Sequence, residues 1–226
     1  MLILTRPLPA ARRTAVASRQ RGVGGAILFS PVLRILPRKM VGLPPGTPIF
    51  TSENGVRAVA DQVDLSGRPV IAVGPRTAAV AASYGALPEI TGGQADALAT
   101  ALIARGGGEY VHLHGAHVTG DLVGRLQDAG IAAQAEMVYD QQQLPLTGAA
   151  RHALLGSIPV ILPLYSPRSA RIVASDLGEK PVNTRVIALS QQVAQSWPWT
   201  DTALVATTTE GPAMLDAIAA AVAAQN

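Results

Sequence analysis

Short apolar runs alternate with alanine-rich stretches of helical character along the whole chain. Leu2-Ile3-Leu4 predicts a strand, residues 9–20 a helix and residues 25–29 a second strand. The rhythm continues with strand 49–50, helix 54–63, strand 70–73, helix 76–84, helix 95–104, strand 110–113, helix 120–129 and strand 132–138. The last third repeats it as helix 148–155, strand 160–164, helix 168–175, strand 185–188, helix 191–197, strand 203–206 and helix 212–224. Apolar runs without polar alternation suit strands buried on both faces, and the intervening helices supply the crossovers that parallel neighbours need. The strands outnumber those of a single flavodoxin-like unit. The reading is therefore α/β, with two flavodoxin-like parallel-sheet domains.

Two segments break the rhythm. Residues 31–37 and 138–145 are extended and bounded or ended by prolines, which disfavour helix at and before themselves. Paired, they form a two-segment extended connector, 32–37 and 139–144. It joins an inserted domain, 38–138, to a discontinuous one, 1–31 plus 145–226, with a cleft between them. Charge divides at the same places. Residues 38–138 carry seven basic and nine acidic groups, while the rest carries eleven and six, for a formal total of +3. Six arginines and no acidic residue lie before residue 38.

Each strand ends in a polar or turn-forming cluster where a helix begins, among them Thr5-Arg6-Pro7, Thr51-Ser52-Glu53-Asn54-Gly55, Gly74-Pro75-Arg76-Thr77 and Ser166-Pro167-Arg168-Ser169. Taken singly, such residues are ordinary N-caps. Repeated along both domains, they predict a polar cleft whose helix N-termini suit carboxylates or phosphates.

Composition removes several function classes. Hydrophobic residues make up 48% of the chain, which provides a core, and aromatics only 4%, too few for the stacking platforms of single-strand nucleic-acid binders. A small polyanionic ligand accounts for the basic segments, and no nucleic acid is expected. There is no cysteine, so disulfides, thiolate nucleophiles and Cys-based metal sites are excluded. His112, His114 and His117 crowd one strand end without an Asp or Glu among them, so no metal is expected there. No apolar run reaches the ~18 residues of a membrane span, and the opening apolar run reads as a strand rather than a leader, so a cytoplasmic protein is expected. GxGxxG after the first strand, the P-loop and HExxH are all missing, and Ser18, Ser52 and Ser166 have no evident His/Asp partners. Gly106-Gly107-Gly108 precedes a strand and is no phosphate cradle. Residue chemistry alone stops at a two-domain α/β protein with an anion-friendly cleft.

The ordered motifs resemble those of bacterial uroporphyrinogen-III synthases. Leu4-Thr5-Arg6-Pro7 is similar to that family's opening, and Pro31-Val32 to its first connector. Phe50-Thr51-Ser52-Glu53-Asn54-Gly55-Val56 resembles its FTSxNxV turn, and Val73-Gly74-Pro75-Arg76-Thr77-Ala78 with Gly85 its VGxxTA…G segment. Gly93-Gln94-Ala95-Asp96-Ala97-Leu98, Gly130 with Val138-Tyr139, and Pro163 to Ser169 around Ser166 continue the match in order. The chain departs at Leu189-Ser190-Gln191-Gln192-Val193-Ala194, where the family often has IGxxTA, and at His114-Gly115-Ala116-His117, where a basic side chain is often found.

The resemblance implies a cofactor-free lyase. Its substrate would be hydroxymethylbilane, which loses water and closes through a spiro intermediate with inversion of ring D. It implies Thr5, Arg6, Ser52, Asn54, Gly74, Arg76, Thr77, His117, Ser166, Ser190 and Gln191 as cleft-lining substrate contacts. Tyr139, read as ending the inserted domain's last strand and starting the second connector, is the expected proton donor through its phenol, the other reading being that it only packs the connector. A monomer is expected, and a transient hand-over from the preceding pathway enzyme fits the reading. Two alternatives stand beside it: a non-catalytic two-lobed binder of a small polycarboxylate, and a nucleotide-dependent oxidoreductase, which would lack its fingerprint.

Overall fold

A computed structural model describes residues 1–91, 95–118, 120–199 and 203–224. The chain opens with β1 (Leu2–Leu4), α1 (Leu8–Gln20), β2 (Ile27–Phe29) and β3 (Leu33–Pro37). It continues through β4 (Thr47–Phe50), α2 (Glu53–Ala60), β5 (Pro69–Ala72), α3 (Pro75–Ser83), β6 (Leu87–Ile90), α4 (Ala95–Arg105), β7 (Glu109–Gly115), α5 (Leu122–Asp128) and β8 (Ala132–Gln143). The last part is α6 (Gly148–Leu155), β9 (Val160–Leu164), α7 (Pro167–Leu177), β10 (Thr184–Ala188), α8 (Gln191–Gln195), β11 (Ala203–Val205) and α9 (Gly211–Ala223). The Gly93-Gln94 pair before α4 lies outside the described residues.

Two compact units result, Met1–Arg34 with Gln142–Asn226, and Ile35–Gln141. The first holds a five-stranded sheet in the order β11-β10-β9-β1-β2, with parallel neighbours throughout. The reason for its unbroken apolar runs is visible in the packing. Along β1, Leu2 and Leu4 enter one core with Ala11, Met214 and Ile218, while Ile3 enters the other with Leu154, Val173 and Trp197. Along β9, Ile161 faces the first core, and Val160, Leu162 and Leu164 the second. Successive side chains point to opposite faces, and helices cover both, so every position is apolar.

The second unit's sheet has the order β3-β8-β7-β4-β5-β6. Its β4, β5, β6, β7 and β8 are parallel neighbours. Arg38 N–H donates to the Val138 carbonyl (2.9 Å) and Leu144 N–H to the Val32 carbonyl (3.0 Å), so β3 and β8 run antiparallel. Phe50, Val56, Val80 and Leu113 fill one face, and Ile49, Ile71, Leu102 and Leu126 the other.

Strand order separates the two units. The first is flavodoxin-like, 2-1-3-4-5 in its own numbering, whereas the second reads 3-2-1-4-5, the other doubly wound order. The difference is β6, which the sequence pattern does not predict. Leu87-Pro88-Glu89-Ile90 is an edge strand with Leu87 and Ile90 largely exposed, and its proline is tolerated because an edge needs fewer ladder bonds. Without it the second unit would cross back after two strands, as the first does. The expectation of two flavodoxin-like sheets therefore holds for one unit and is corrected for the other.

Candidate active site

In doubly wound sheets the loops at the carboxyl ends part where strand order reverses, because the two flanking helices leave on opposite faces. In the first unit that place lies between β1 and β9. Thr5 and Arg6 follow β1, and Tyr165 and Ser166 follow β9. Thr5 is buried; its carbonyl accepts from Val32 N–H at 3.0 Å. Arg6 is fastened twice. Its Nη1 donates to Thr14 Oγ1 (3.4 Å), and its guanidinium carbon stands 4.0 Å over the Tyr165 ring, a cation–π contact. Burial pushes the Tyr165 phenol up, and the Arg6 charge and the Thr14 hydrogen bond offset part of that rise. Tyr165 is a residue that motif reading missed. It adjoins Ser166 in sequence, but only the fold brings it beneath Arg6.

The hydroxyls expected to face substrate mostly serve as caps. Ser166 Oγ accepts from Ser169 N–H at 3.1 Å and donates to Ser169 Oγ at 2.9 Å, at the start of α7. Ser190 Oγ accepts from Val193 N–H at 3.4 Å. Val193, where the family often has threonine, is buried in the core beside Trp197. Gln191 opens α8 and is exposed.

In the second unit the reversal lies between β4 and β7. Ser52 caps α2 by accepting from Asn54 N–H at 3.2 Å, with Asn54 half-buried in the first turn. Arg76 reaches Glu53 of that turn at 3.6 Å, and Arg57 lies 3.8 Å from the same carboxylate oxygen. Gly74 is the N-cap of α3 in an extended conformation, and a β-carbon there would meet nothing within 4 Å. Thr77 is buried in α3, whereas His117 is exposed beyond the end of β7.

The interior histidine is His112. Its Nε2 lies 3.0 Å from Thr51 Oγ1, and desolvation, with a smaller contribution from His114, pushes its pKa down to about 4. It is therefore neutral at pH 7. Tyr139 lies within β8 and is buried among Phe50, Val56 and Leu113. A register shift between His114 and Gly115 sets Gly115 opposite Tyr139. A β-carbon at Gly115 would fall 2.4 Å from the Tyr139 Cε2 and Cζ atoms. Gly115 is thus a second residue the motif reading missed, and the signal for it was a glycine ending a strand of larger side chains. Among the described residues no hydrogen bond engages the Tyr139 hydroxyl. Nor do the described residues include a group of three His, Cys, Asp or Glu side chains able to hold a metal ion, or a helix long and apolar enough to cross a membrane.

Two doubly wound units with capped helix N-termini define an α/β protein of two parallel-dominated sheets, with Arg6 anchored at the strand ends of the first. The family pattern described as uroporphyrinogen-III synthase HemD matches residues 14–210. The chain belongs to the uroporphyrinogen-III synthase family. Its fold is similar to that of the uroporphyrinogen-III synthetase of Helicobacter pylori 26695, at 16% identity, with 88% of this chain and 94% of that one covered and a TM-score of 0.65. It is also similar to a mutant uroporphyrinogen III synthase of the extremely thermophilic bacterium Thermus thermophilus, at 14% identity, with 100% and 99% covered and a TM-score of 0.55. No curated protein sequence matches the chain.

Proposed function

We propose that the chain closes hydroxymethylbilane to uroporphyrinogen III by holding the substrate's carboxylates at the carboxyl ends of both sheets. The cleft would lie between the domains 1–31 plus 145–226 and 38–138, with 32–37 and 139–144 as hinges. The observation that carries this reading is Arg6, a cation held by Tyr165 and Thr14 at a topological switch point. The N-termini of α2, α3 and α7 add N–H donors and a favourable dipole.

The chemistry asks little of the protein beyond placement. The pyrrole nitrogen lone pair pushes out the hydroxyl of the hydroxymethyl group, breaking the C–O bond. A proton from the Tyr139 phenol turns the departing hydroxide into water. The substituted carbon of ring D then attacks the resulting cation to give the spiro intermediate. The bond from that carbon to the ring C methylene breaks, and the free α-carbon of ring D closes onto that methylene with the ring inverted. The proton this α-carbon sheds restores the phenol. Unaided, the bilane closes to the wrong isomer, so the catalyst's contribution is positioning and stabilisation of a transient cation. No step draws on a coenzyme. Thr5, Ser52, Asn54, Gly74, Arg76, Thr77, His117, Ser166, Ser190 and Gln191 are proposed to line the cleft beside Arg6, the serines through the caps they support. The reading also takes the protein as a cytoplasmic monomer to which the preceding pathway enzyme hands its product.

Incubation with hydroxymethylbilane and chromatographic separation of the isomers tests this. Isomer III is expected as the main product; the mixture formed without protein would mark a two-lobed binder instead. Scattering profiles that stay identical with and without product would count against the hinges.

A further inference from the structure

Strand β9 carries a proline, Pro163, in the interior of the five-stranded sheet, with β10 on one side and β1 on the other. Proline has no N–H to give to a ladder and is ordinarily confined to edges and bulges. The hydrogen bonds show on which side the missing donor falls. Val160 N–H donates to the Asn183 carbonyl (2.9 Å), and Ile161 N–H donates to the Met1 carbonyl (2.8 Å). Donors alternate along a strand, so the even-numbered residues of β9 serve β10 and the odd-numbered ones serve β1. Position 163 is the next odd one, and its donor would go to the Ile3 carbonyl.

The pairing pattern has the corresponding gap. Against β10, all of β9 is in register, from Val160↔Thr184 to Leu164↔Ala188. Against β1 it pairs only at Leu2↔Ile161. Strand β1 is regular at its end, since it pairs with β2 as far as Leu4↔Phe29. The seam is therefore closed at its amino end and unpaired at its carboxyl end. That end is where the strand order reverses, and it leads directly to Thr5-Arg6 on one side and Tyr165-Ser166 on the other.

We infer that Pro163 is a positioning residue: by withholding one ladder donor it keeps β1 and β9 unpaired at their carboxyl ends and sets the separation of the Arg6 and Ser166 loops that receive the substrate. It acts through those loops, because its own side chain is buried in the sheet. The activity readout rests on the reaction proposed above; the backbone readout does not.

Pro163→Val and Pro163→Ala both restore the N–H with different side chains. In both, the amide at position 163 is expected to be protected in hydrogen exchange, as the ladder extends toward Leu4. The thermal midpoint should move by less than about 5 °C, because the added bond offsets the lost stiffness of proline in the unfolded chain. The kcat/KM for isomer III should fall about 10- to 100-fold, since misplacement on the ångström scale has that effect. A protected amide with wild-type turnover would overturn the inference. So would an unprotected amide in both variants, a loss confined to the valine variant, or failure of both to fold. If wild type itself makes no isomer III, the reaction assigned above is wrong, and amide protection alone then decides whether Pro163 opens the seam.

Discussion

The ring of Tyr139 occupies the space that a side chain on Gly115 would need: a β-carbon there would lie 2.4 Å from Cε2 and Cζ. The two residues face each other across β7 and β8, at the point where the register shifts. A bulge of this kind re-aims the side chain beside it. Gly115→Ala is expected to destabilise the fold by about 2 kcal/mol through overpacking. Adding Tyr139→Leu should recover part of that loss, and a double-mutant cycle by urea unfolding measures the coupling. Additive effects would show that the ring and the glycine are independent.

Tyr139→Phe keeps the ring on Gly115 and removes only the hydroxyl, which no hydrogen bond engages among the described residues. Stability should therefore change by less than about 0.5 kcal/mol. Turnover should fall ~10²–10⁴-fold if the phenol protonates the leaving hydroxyl. Isomer III should remain the main enzymatic product, because positioning survives. Turnover within about threefold of wild type would leave the acid role without support.

Arg6 stands 4.0 Å over the face of the Tyr165 ring. Tyr165→Phe is expected to alter KM by less than about twofold, since a phenylalanine ring also accepts a cation. Tyr165→Leu removes the π face and should raise KM about fivefold, the equivalent of ~1 kcal/mol. Equal effects of the two substitutions would point to packing instead.

His112 titrates with its pKa lowered from 6.5 to about 4 by burial and by His114. The unfolded chain binds the proton more tightly, so this residue's contribution is complete above about pH 7 and is lost as the pH falls through 6.5 toward 4. Between about pH 8 and pH 5 the loss should be roughly 2 kcal/mol. Urea unfolding of wild type and His112→Asn at both pH values checks this. The variant should lack that part of the acid sensitivity while keeping what the carboxylates contribute.

The alternation of apolar runs and alanine-rich stretches was enough to predict α/β units, because a strand buried on both faces must be apolar at every position, as β1 and β9 are. The caps were legible for a similar reason: Ser52, Ser166 and Ser190 each act within three residues of themselves. What local pattern could not supply was anything set by partners distant in the chain. Strand β6 escaped because an exposed edge with a proline carries no burial signal. Its presence then changed the strand order of the whole second sheet.

The site divides along the same line. Sequence by itself determined which loops hold hydroxyls, glycines and arginines, since strand ends and helix starts are local matters of capping and turn chemistry. Only the tertiary structure decided that Arg6 stacks on Tyr165, that His112 is the interior histidine beside Thr51 while His117 is exposed, and that Gly115 makes room for Tyr139. Each of these contacts joins strands brought together by long crossovers. Their geometry follows from sheet order and register, which depend on the packing of the whole chain and not on any short stretch of it.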